Sequence, residues 1–391
     1  MAEPAGKRFF LSPRRFMLVT RSLRVGRLFG IDIDIDYTWF IVFVIVVVLL
    51  STGWFARYLP GASIGVRGLV GFSTAILFFA SVLLHELAHS VVAVRSGIGI
   101  SGITLFIFGG VSKMSDEPKS ASIELRMAIA GPAMSGVLCA LFLGLYFLVR
   151  TVSAMHVLGT MFYWLGMMNG MLAVFNLLPG FPLDGGRVLR AGIWGATQNL
   201  TDATRIASSF GQGLGFLMIL FGVVSFLGGN YGGIWIGLIG WFLVQAAQSS
   251  YQQLVLRQQL LGVPVSAAMT EPVESVPAGA SLDQVVHDHV MRHNHPAFPV
   301  LDNGRLLGLI SLGDIRLVPR ERWPWVTAAE TVAPLTEAQI IHPEAPVWDA
   351  LIKMTSGNMG RLLVVDATGL RGIVTRTDIM RLLRRRIELG V

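Results

Sequence analysis

The chain has 391 residues, of which 53% are hydrophobic and 14% are charged, and its mean hydropathy is +0.62. A soluble globular domain carries about 25% charged residues, so this composition indicates a membrane protein. The single cysteine, Cys139, excludes an internal disulfide and a thiolate metal cluster, so any metal would need His, Asp or Glu ligands. The net charge is +7, but the basic residues flank apolar runs or lie in the C-terminal third, and we expect no nucleic-acid partner.

Uncharged stretches long enough for a bilayer-spanning helix, which needs about 20 residues, recur along the first two thirds of the chain. They predict six transmembrane helices within a membrane domain at residues 30–255, and the lipid bilayer is therefore an expected partner. The six lie at residues 37–55, 68–94 and 127–149, within 151–183, and as two helices within 206–256 that are separated by a glycine-rich turn at 228–233.

The basic residues predict the orientation, because Lys and Arg are retained on the cytoplasmic side. The N-terminal arm, residues 1–29, and the loops after the second and fourth spans are rich in Lys and Arg. The opposite side has only Arg57, Arg67 and Arg150. We therefore expect both termini in the cytoplasm, and the arm lacks the apolar core of a secretory signal.

Two short segments have β character. Residues 31–36 alternate Ile and Asp, which is typical of a half-buried strand. Its three carboxylates form either a solvated strand face, which we favour, or a cation site. Residues 98–114 are punctuated by glycines and predict a β-hairpin between the second and third spans, near the cytoplasmic face.

Beyond about Gly262 the chain becomes rich in charges and prolines, and residues 256–391 predict a cytosolic domain of two repeats, 263–322 and 326–387. Each repeat reads as helix, strand, strand, helix. The two match at an offset of 64 residues: Val300, Asp302, Gly308, Asp314 and Ile315 recur as Val364, Asp366, Gly372, Asp378 and Ile379, and Ser311 is matched by Thr375.

A metal-binding pattern, His85-Glu86-Leu87-Ala88-His89, lies at the cytoplasmic end of the second span. His85 and His89 share one helix face about one turn apart, so both imidazoles can bind one ion, with Glu86 beside them. Catalytic zinc has three protein ligands and a water whose pKa falls to about 7, and Glu86 would take its proton and pass it to the leaving amine. The alternative is a hydrated helix end, but ionisable groups within a span mostly line functional cavities.

A third ligand is expected where the fourth span ends. Pro179 and Pro182 interrupt the helix, and Gly185 allows a sharp turn, so the backbone should break and direct Asp184 inward. Broken backbone at membrane depth is tolerated only against protein or water, which fits a cavity. Alternatively, Asp184 caps the next helix, at 186–198, in an ordinary loop.

Together, these two segments resemble the site-2 protease family of intramembrane zinc metalloproteases, peptidase family M50. That family pairs a His-Glu-x-x-His helix with a later Asn-x-x-Pro-x-x-Pro-x-Asp-Gly segment, and the chain matches both without departure over roughly residues 30–255. The resemblance implies one Zn²⁺ per chain bound by His85, His89 and Asp184, with Glu86 as general base. It also implies that Asn176 helps to hold the substrate or the oxyanion, in a substrate-binding segment that contains Pro179 and Pro182.

The hairpin fits this chemistry, because a transmembrane substrate must unwind before cleavage and an exposed strand edge can bind the extended chain by β-augmentation. We expect Phe108, Gly109 and Gly110 to face the substrate. Packing of this stretch against the third span is the alternative.

The C-terminal repeats resemble a pair of CBS domains, in which Ser311 and Asp314, and likewise Thr375 and Asp378, open the last helix of each repeat. The resemblance implies an adenosine nucleotide, with Asp on the ribose and the helix start on phosphate, and a homodimer through these domains. Alternatively, Ser311 and Thr375 are ordinary N-caps.

Four histidines crowd one segment of the first repeat. Exposed histidines are favoured over a regulatory metal site, because their spacing defines no single helix face. They are His287, His289, His293 and His295.

The sequence therefore predicts a polytopic α-helical membrane protein with a small β-sheet and a C-terminal α/β CBS pair. We expect a multi-pass endopeptidase of the cytoplasmic membrane that cuts a single-span regulatory protein and is regulated by the CBS pair. A CBS-regulated ion transporter or channel is the main alternative and predicts ion flux with little or no zinc binding. A scaffold that only binds membrane helices is the third.

Overall fold

The computed structural model describes residues 22–107, 109–114, 117–293, 297–357 and 359–389. The chain divides into two compact units, with the boundary between Gln252 and Gln253.

Unit 1 is mostly helical and contains one small sheet. In chain order its elements are β1 (Ser22–Leu28), β2 (Ile31–Asp36), α1 (Tyr37–Leu49), a π-helical turn (Leu50–Trp54), α2 (Phe55–Tyr58), α3 (Ile64–Arg95), β3 (Ile100–Phe106), β4 (Gly109–Met114), α4 (Ala121–Val149), a 3₁₀ turn (Ser153–Met155), α5 (His156–Asn176), α6 (Asp184–Thr197), α7 (Leu200–Leu227) and α8 (Gly232–Leu260), within which the unit boundary falls.

Five helical segments among the described residues are long and apolar enough to cross a membrane, and they match the first five predicted spans. They are Tyr37–Tyr58, Ile64–Arg95, Ala121–Val149, Ser153–Asn176 and Leu200–Leu227. The sixth predicted span lies in α8, a helix of 29 residues, but glycine and glutamine make it less hydrophobic than the other five. The predicted fold class is confirmed, with five spans supported where six were expected.

Helix α4 lies at the centre of unit 1 and packs against α3, α5 and α6. It begins after Ser120, whose hydroxyl accepts a hydrogen bond from the Ile123 amide. Its buried residues recur every three or four positions and include small ones, which let neighbouring helices approach closely in an apolar environment. They are Glu124, Met127, Ala128, Gly131, Pro132, Ser135 and Leu138.

The sheet of unit 1 has the order β1-β2-β3-β4, with β2 and β3 parallel and the other pairs antiparallel. The predicted strand at 31–36 is β2 and the predicted hairpin is β3 and β4, whereas β1 was not predicted. Each carboxylate of β2 has a partner. Asp32 lies 2.7 Å from Arg24, Asp34 lies 2.9 Å from Lys113, and Asp36 accepts from the Thr38 amide at the start of α1. These pairs favour the strand-face interpretation over the cation site.

Unit 2 contains two sheets with the orders β5-β6-β7-β8 and β11-β10-β9, and each sheet has its own apolar core. The hairpins β6/β7 and β10/β11 carry the same register irregularity, after Val300 and after Val364. The elements are β5 (Val276–Pro277), α9 (Leu282–Gln284), a π-helical segment (Val285–Val290), β6 (Ala297–Asp302), β7 (Arg305–Ser311), α10 (Leu312–Arg316), α11 (Ala328–Thr331), β8 (Ala333–Pro334), β9 (Ile340–Ile341), α12 (Val347–Ser356), β10 (Arg361–Asp366), β11 (Gly369–Thr375) and α13 (Arg376–Leu389).

Candidate metal centre

Three side chains from two distant segments meet in unit 1. His85 Nε2 lies 3.2 Å from His89 Nε2, and Asp184 Oδ2 lies 3.2 Å from the first nitrogen and 3.1 Å from the second. No other three His, Cys, Asp or Glu side chains lie this close together in the part of the chain that the structure describes. The structure therefore brings together the three residues that the sequence pointed to as ligands.

Helix α3 supplies both imidazoles, and α4 orients them. The Nδ1 of His89 lies 2.6 Å from the carbonyl oxygen of Met127, which can only accept a hydrogen bond, so this nitrogen carries the hydrogen. The Nδ1 of His85 lies 2.9 Å from the Ser135 hydroxyl, which can accept in the same way. In a neutral imidazole the other nitrogen then has its lone pair free. In His89, and in His85 when Ser135 accepts, that nitrogen is the Nε2 that faces Asp184.

The loop between α5 and α6 places the carboxylate. It leaves α5 after Asn176, and the Phe181 amide donates to the carbonyl of Ala207 on α7 over 3.1 Å. Helix α6 begins at Asp184, one residue after Leu183, which makes no side-chain cap. The Asp184 side chain contacts the imidazoles instead of capping a later helix, so the alternative interpretation of this segment is not supported.

The donor set fits a zinc ion. Ligands at about 2.0 Å from a tetrahedral zinc lie about 3.3 Å apart, close to the sides of the observed triangle. Gly131 on α4 lies against this triangle, since a Cβ there would overlap His89 Nε2 and would lie 2.7 Å from His85 Nε2. The missing side chain leaves the space that an ion and its open coordination position require.

Glu86 lies next to the imidazoles along α3 and against the hairpin. A Cβ on Gly110 of β4 would lie 2.8 Å from Glu86 Cδ and 3.2 Å from its Oε1, so the strand backbone packs directly on this carboxylate. The hairpin is held there by Ser90 of α3, whose hydroxyl lies 3.0 Å from that of Ser112 on β4. Gly109 begins β4 with a φ of +133°, a conformation that favours glycine.

The remaining predicted substrate residues are placed as follows. Asn176 is half-buried at the end of α5, and its Nδ2 donates to the carbonyl of Leu172 over 3.1 Å. Pro179 is exposed, and Pro182 is half-buried and follows a cis peptide bond. Phe108 lies outside the described residues.

In unit 2, the predicted nucleotide residues form two matching caps. The Ser311 amide and hydroxyl donate to Asp314 Oδ2 over 2.8 and 2.6 Å, and those of Thr375 donate to Asp378 Oδ2 over 3.0 and 2.6 Å. A cavity of about 380 Å³ lies nearby. It is lined by Ala297, Leu309, Ser311, Gln339, Met359, Gly360, Arg361 and Leu363.

The histidine cluster has carboxylate neighbours. His287 lies 3.5 Å from Asp283, while His289 and His293 lie 3.2 and 3.6 Å from Glu274. His295 lies outside the described residues.

Some residues at the centre carried no signal in the sequence that we recognised. Met127 contributes a backbone carbonyl, Gly131 contributes the absence of a side chain, and Ser135 contributes a hydroxyl from the middle of an apolar span. The signal that could have identified them is their regular spacing, which puts all three on one face of α4.

Comparison with known proteins places both units in families. The model of peptidase family M50 matches residues 73–159 and 144–220, and the CBS domain model matches 265–321 and 330–385. Rip3 of Mycobacterium tuberculosis is 33% identical over 93% of either chain. Zinc metalloprotease MJ0392 of Methanocaldococcus jannaschii is 31% identical over 92% of this chain and 95% of its own.

A solved structure, the site-2 protease from Methanocaldococcus jannaschii, is 32% identical and covers 59% of this chain and 95% of its own, with a TM-score of 0.43. The family assignment rests on the matched family models and on the relatives at 33% and 31% identity over more than nine tenths of the chain. The chain therefore belongs to peptidase family M50, the site-2 protease family of membrane-embedded zinc metalloproteases, and carries a C-terminal pair of CBS domains.

Proposed function

We propose that the chain cleaves a membrane-spanning segment of a single-span regulatory protein, with one zinc ion held by His85, His89 and Asp184. The observation that carries this proposal is the triangle of three donor atoms, 3.1 to 3.2 Å apart. The Met127 carbonyl supports it, because it directs the free lone pair of His89 into the triangle.

The chemistry divides between the ion and Glu86. Zinc, when bound, supplies a Lewis acid that lowers the pKa of a water and polarises a carbonyl. The Glu86 carboxylate accepts the proton of the attacking water and returns it to the nitrogen of the leaving amine. His85 and Asp184 are largely shielded from solvent, with side-chain exposures of 4% and 14%.

Strand β4 supports a mode of substrate presentation. It is the last strand in the order β1-β2-β3-β4, so its outer edge can pair with an extended chain. Because Gly110 lies on Glu86, a substrate strand paired there would run beside the general base. Gly109 and Gly110 would then face the substrate through their backbones, and Asn176, Pro179 and Pro182 would border it from the loop before α6.

Regulation would come from unit 2. The cavity of about 380 Å³ is within the range of small-molecule sites, and Arg361 and Ser311 in its lining offer a cation and a hydroxyl for an adenosine nucleotide. Asp314 and Asp378 each use Oδ2 for their cap, and a ribose would contact Oδ1, which in Asp378 also accepts from Arg381 over 3.3 Å. A homodimer through this unit is supported by apolar helix surface, because Ile352 on α12 and Met380 on α13 are 46% and 49% exposed.

We place the protein in the cytoplasmic membrane with both termini in the cytoplasm. The five apolar helices support a multi-pass arrangement, and α8 is taken as the sixth span that termini on the same side require. The basic loops after the second and fourth spans support this orientation. The transporter and scaffold alternatives are less well supported, because the matched family and MJ0392 are metalloproteases.

Reconstitution with candidate single-span substrates tests the proposal. Wild type should release cleaved product, and a zinc chelator should abolish the release. Glu86→Gln should give no product although its fold is unchanged. Equal product from Glu86→Gln would contradict the assigned base, and ion flux without cleavage would favour the transporter.

A further inference from the structure

A buried ion pair joins α4 to α6 away from the three donor atoms. Arg190 Nε donates to Glu124 Oε1 over 2.6 Å, and Nη2 of the same arginine also contacts this oxygen. Glu124 is buried and Arg190 is largely buried, with side-chain exposures of 1% and 11%. The pair therefore fixes one point of contact between these two helices.

The relative position of α4 and α6 determines the geometry of the candidate metal centre. Glu124 lies one turn before Met127, on the buried face of α4 that also carries Gly131 and Ser135. Helix α4 thus orients both histidines, whereas α6 begins with Asp184. A shift of α6 along α4 would move the carboxylate relative to the imidazoles.

Arg190 also contacts the segment that leads into Asp184. Its Cζ lies 5.1 Å from the centre of the Phe181 ring, a cation–π distance. Phe181 is 5% exposed, and its amide donates to Ala207 on α7. One guanidinium therefore touches both the α4 carboxylate and the loop that precedes the proposed ligand.

A role in stability alone accounts poorly for this pair. Removing two charges from water is costly, and replacing a buried ion pair by apolar residues of similar volume is often neutral or stabilising. In addition, Oε2 of Glu124 is buried and has no hydrogen-bond partner within the described part of the protein, which adds to the cost. The contact between an arginine and a carboxylate is directional, so it can fix the position of α6 relative to α4. An apolar pair lacks this directionality.

We propose that Glu124 and Arg190 are positioning residues, which hold α6 in register with α4 so that the Asp184 carboxylate reaches the two imidazoles. This inference rests on the proposed ligand role of Asp184. Neither residue touches the reacting atoms, and both act through the position of Asp184.

The test measures zinc affinity by chelator competition, together with kcat, KM and thermal unfolding, on the full-length protein. Glu124→Gln and Arg190→Gln should each weaken zinc binding by about 10- to 100-fold, as loss of supporting contacts around metal ligands does, and lower kcat more than they raise KM. Arg126→Gln removes an exposed charge from the same helix and should leave zinc affinity unchanged.

The double variant Glu124→Leu/Arg190→Met separates position from stability. Its melting temperature should equal or exceed that of wild type, while its zinc affinity stays as low as in the single variants. Wild-type zinc affinity in this double variant would overturn the positioning role and leave the ligand assignment of Asp184 intact. Wild-type zinc affinity in Asp184→Asn would instead overturn the ligand assignment and the positioning role with it.

Discussion

His89 donates its Nδ1 hydrogen to the carbonyl oxygen of Met127 over 2.6 Å, and this contact between α3 and α4 decides which nitrogen of the ring faces Asp184. A backbone carbonyl cannot donate, so the tautomer is fixed by the fold and does not depend on a titratable partner. The candidate metal centre is therefore oriented by α4, which supplies none of its three donor side chains.

Gly131→Ala should abolish high-affinity zinc binding. The added Cβ would lie 2.6 Å from His89 Cε1 and 2.7 Å from His85 Nε2, so at least one ring must move. Gly136→Ala on the same helix is the matched control, because its Cβ meets nothing within 4 Å and alanine favours a helix by about 1 kcal/mol. Zinc titration of the two variants checks this, and unchanged affinity in Gly131→Ala would refute the described geometry.

Ser135→Ala should weaken zinc binding by about 10- to 100-fold, because His85 loses the contact that orients its ring. Ser81→Ala offers a comparison on α3, since Ser81 is also buried but its hydroxyl donates to the Leu77 carbonyl of its own helix. Competition with a chromogenic chelator measures both. Equal affinities in the two variants would show that Ser135 does not orient His85.

Gly110→Ala should lower kcat by about 10-fold or more while zinc affinity stays at the wild-type value. The new Cβ would press on the Glu86 carboxylate and not on the three donor atoms, and a small displacement of a general base has effects of this size. Gly26→Ala in β1 of the same sheet, where a Cβ meets nothing within 4 Å, should retain activity. A loss of zinc binding in Gly110→Ala would contradict this prediction, because it would show that the strand packs on the three donor side chains and not on Glu86.

Much of the site could be predicted because its signals are local. The helix face shared by His85 and His89 follows from a spacing of four residues, and the break before Asp184 follows from two prolines. The hairpin was also readable, because glycines bracket its strands.

The parts that could not be predicted depend on contacts distant in sequence. We predicted β1 as part of a basic arm, because its own composition does not indicate that it pairs with β2. The Glu124–Arg190 pair joins residues 66 positions apart. The role of Met127 rests on a backbone atom that every residue type possesses.

In unit 2, Arg361→Ala should reduce binding of AMP by about 10-fold or more, because the cavity loses the one cation in its described lining. Arg371→Ala is the control, since Arg371 lies on the neighbouring strand and pairs with Asp366 outside that lining. Isothermal titration of the full-length protein with AMP measures both. Identical AMP binding curves for Arg361→Ala and Arg371→Ala would show that the nucleotide binds elsewhere or does not bind.

The most direct test of the central claim is the zinc content of the purified full-length chain and two variants, measured by mass spectrometry of the metal after dialysis. The account predicts one zinc per chain for wild type, one zinc per chain for the inactive Glu86→Gln, and little or none for Asp184→Ala. Full zinc occupancy in Asp184→Ala would contradict it.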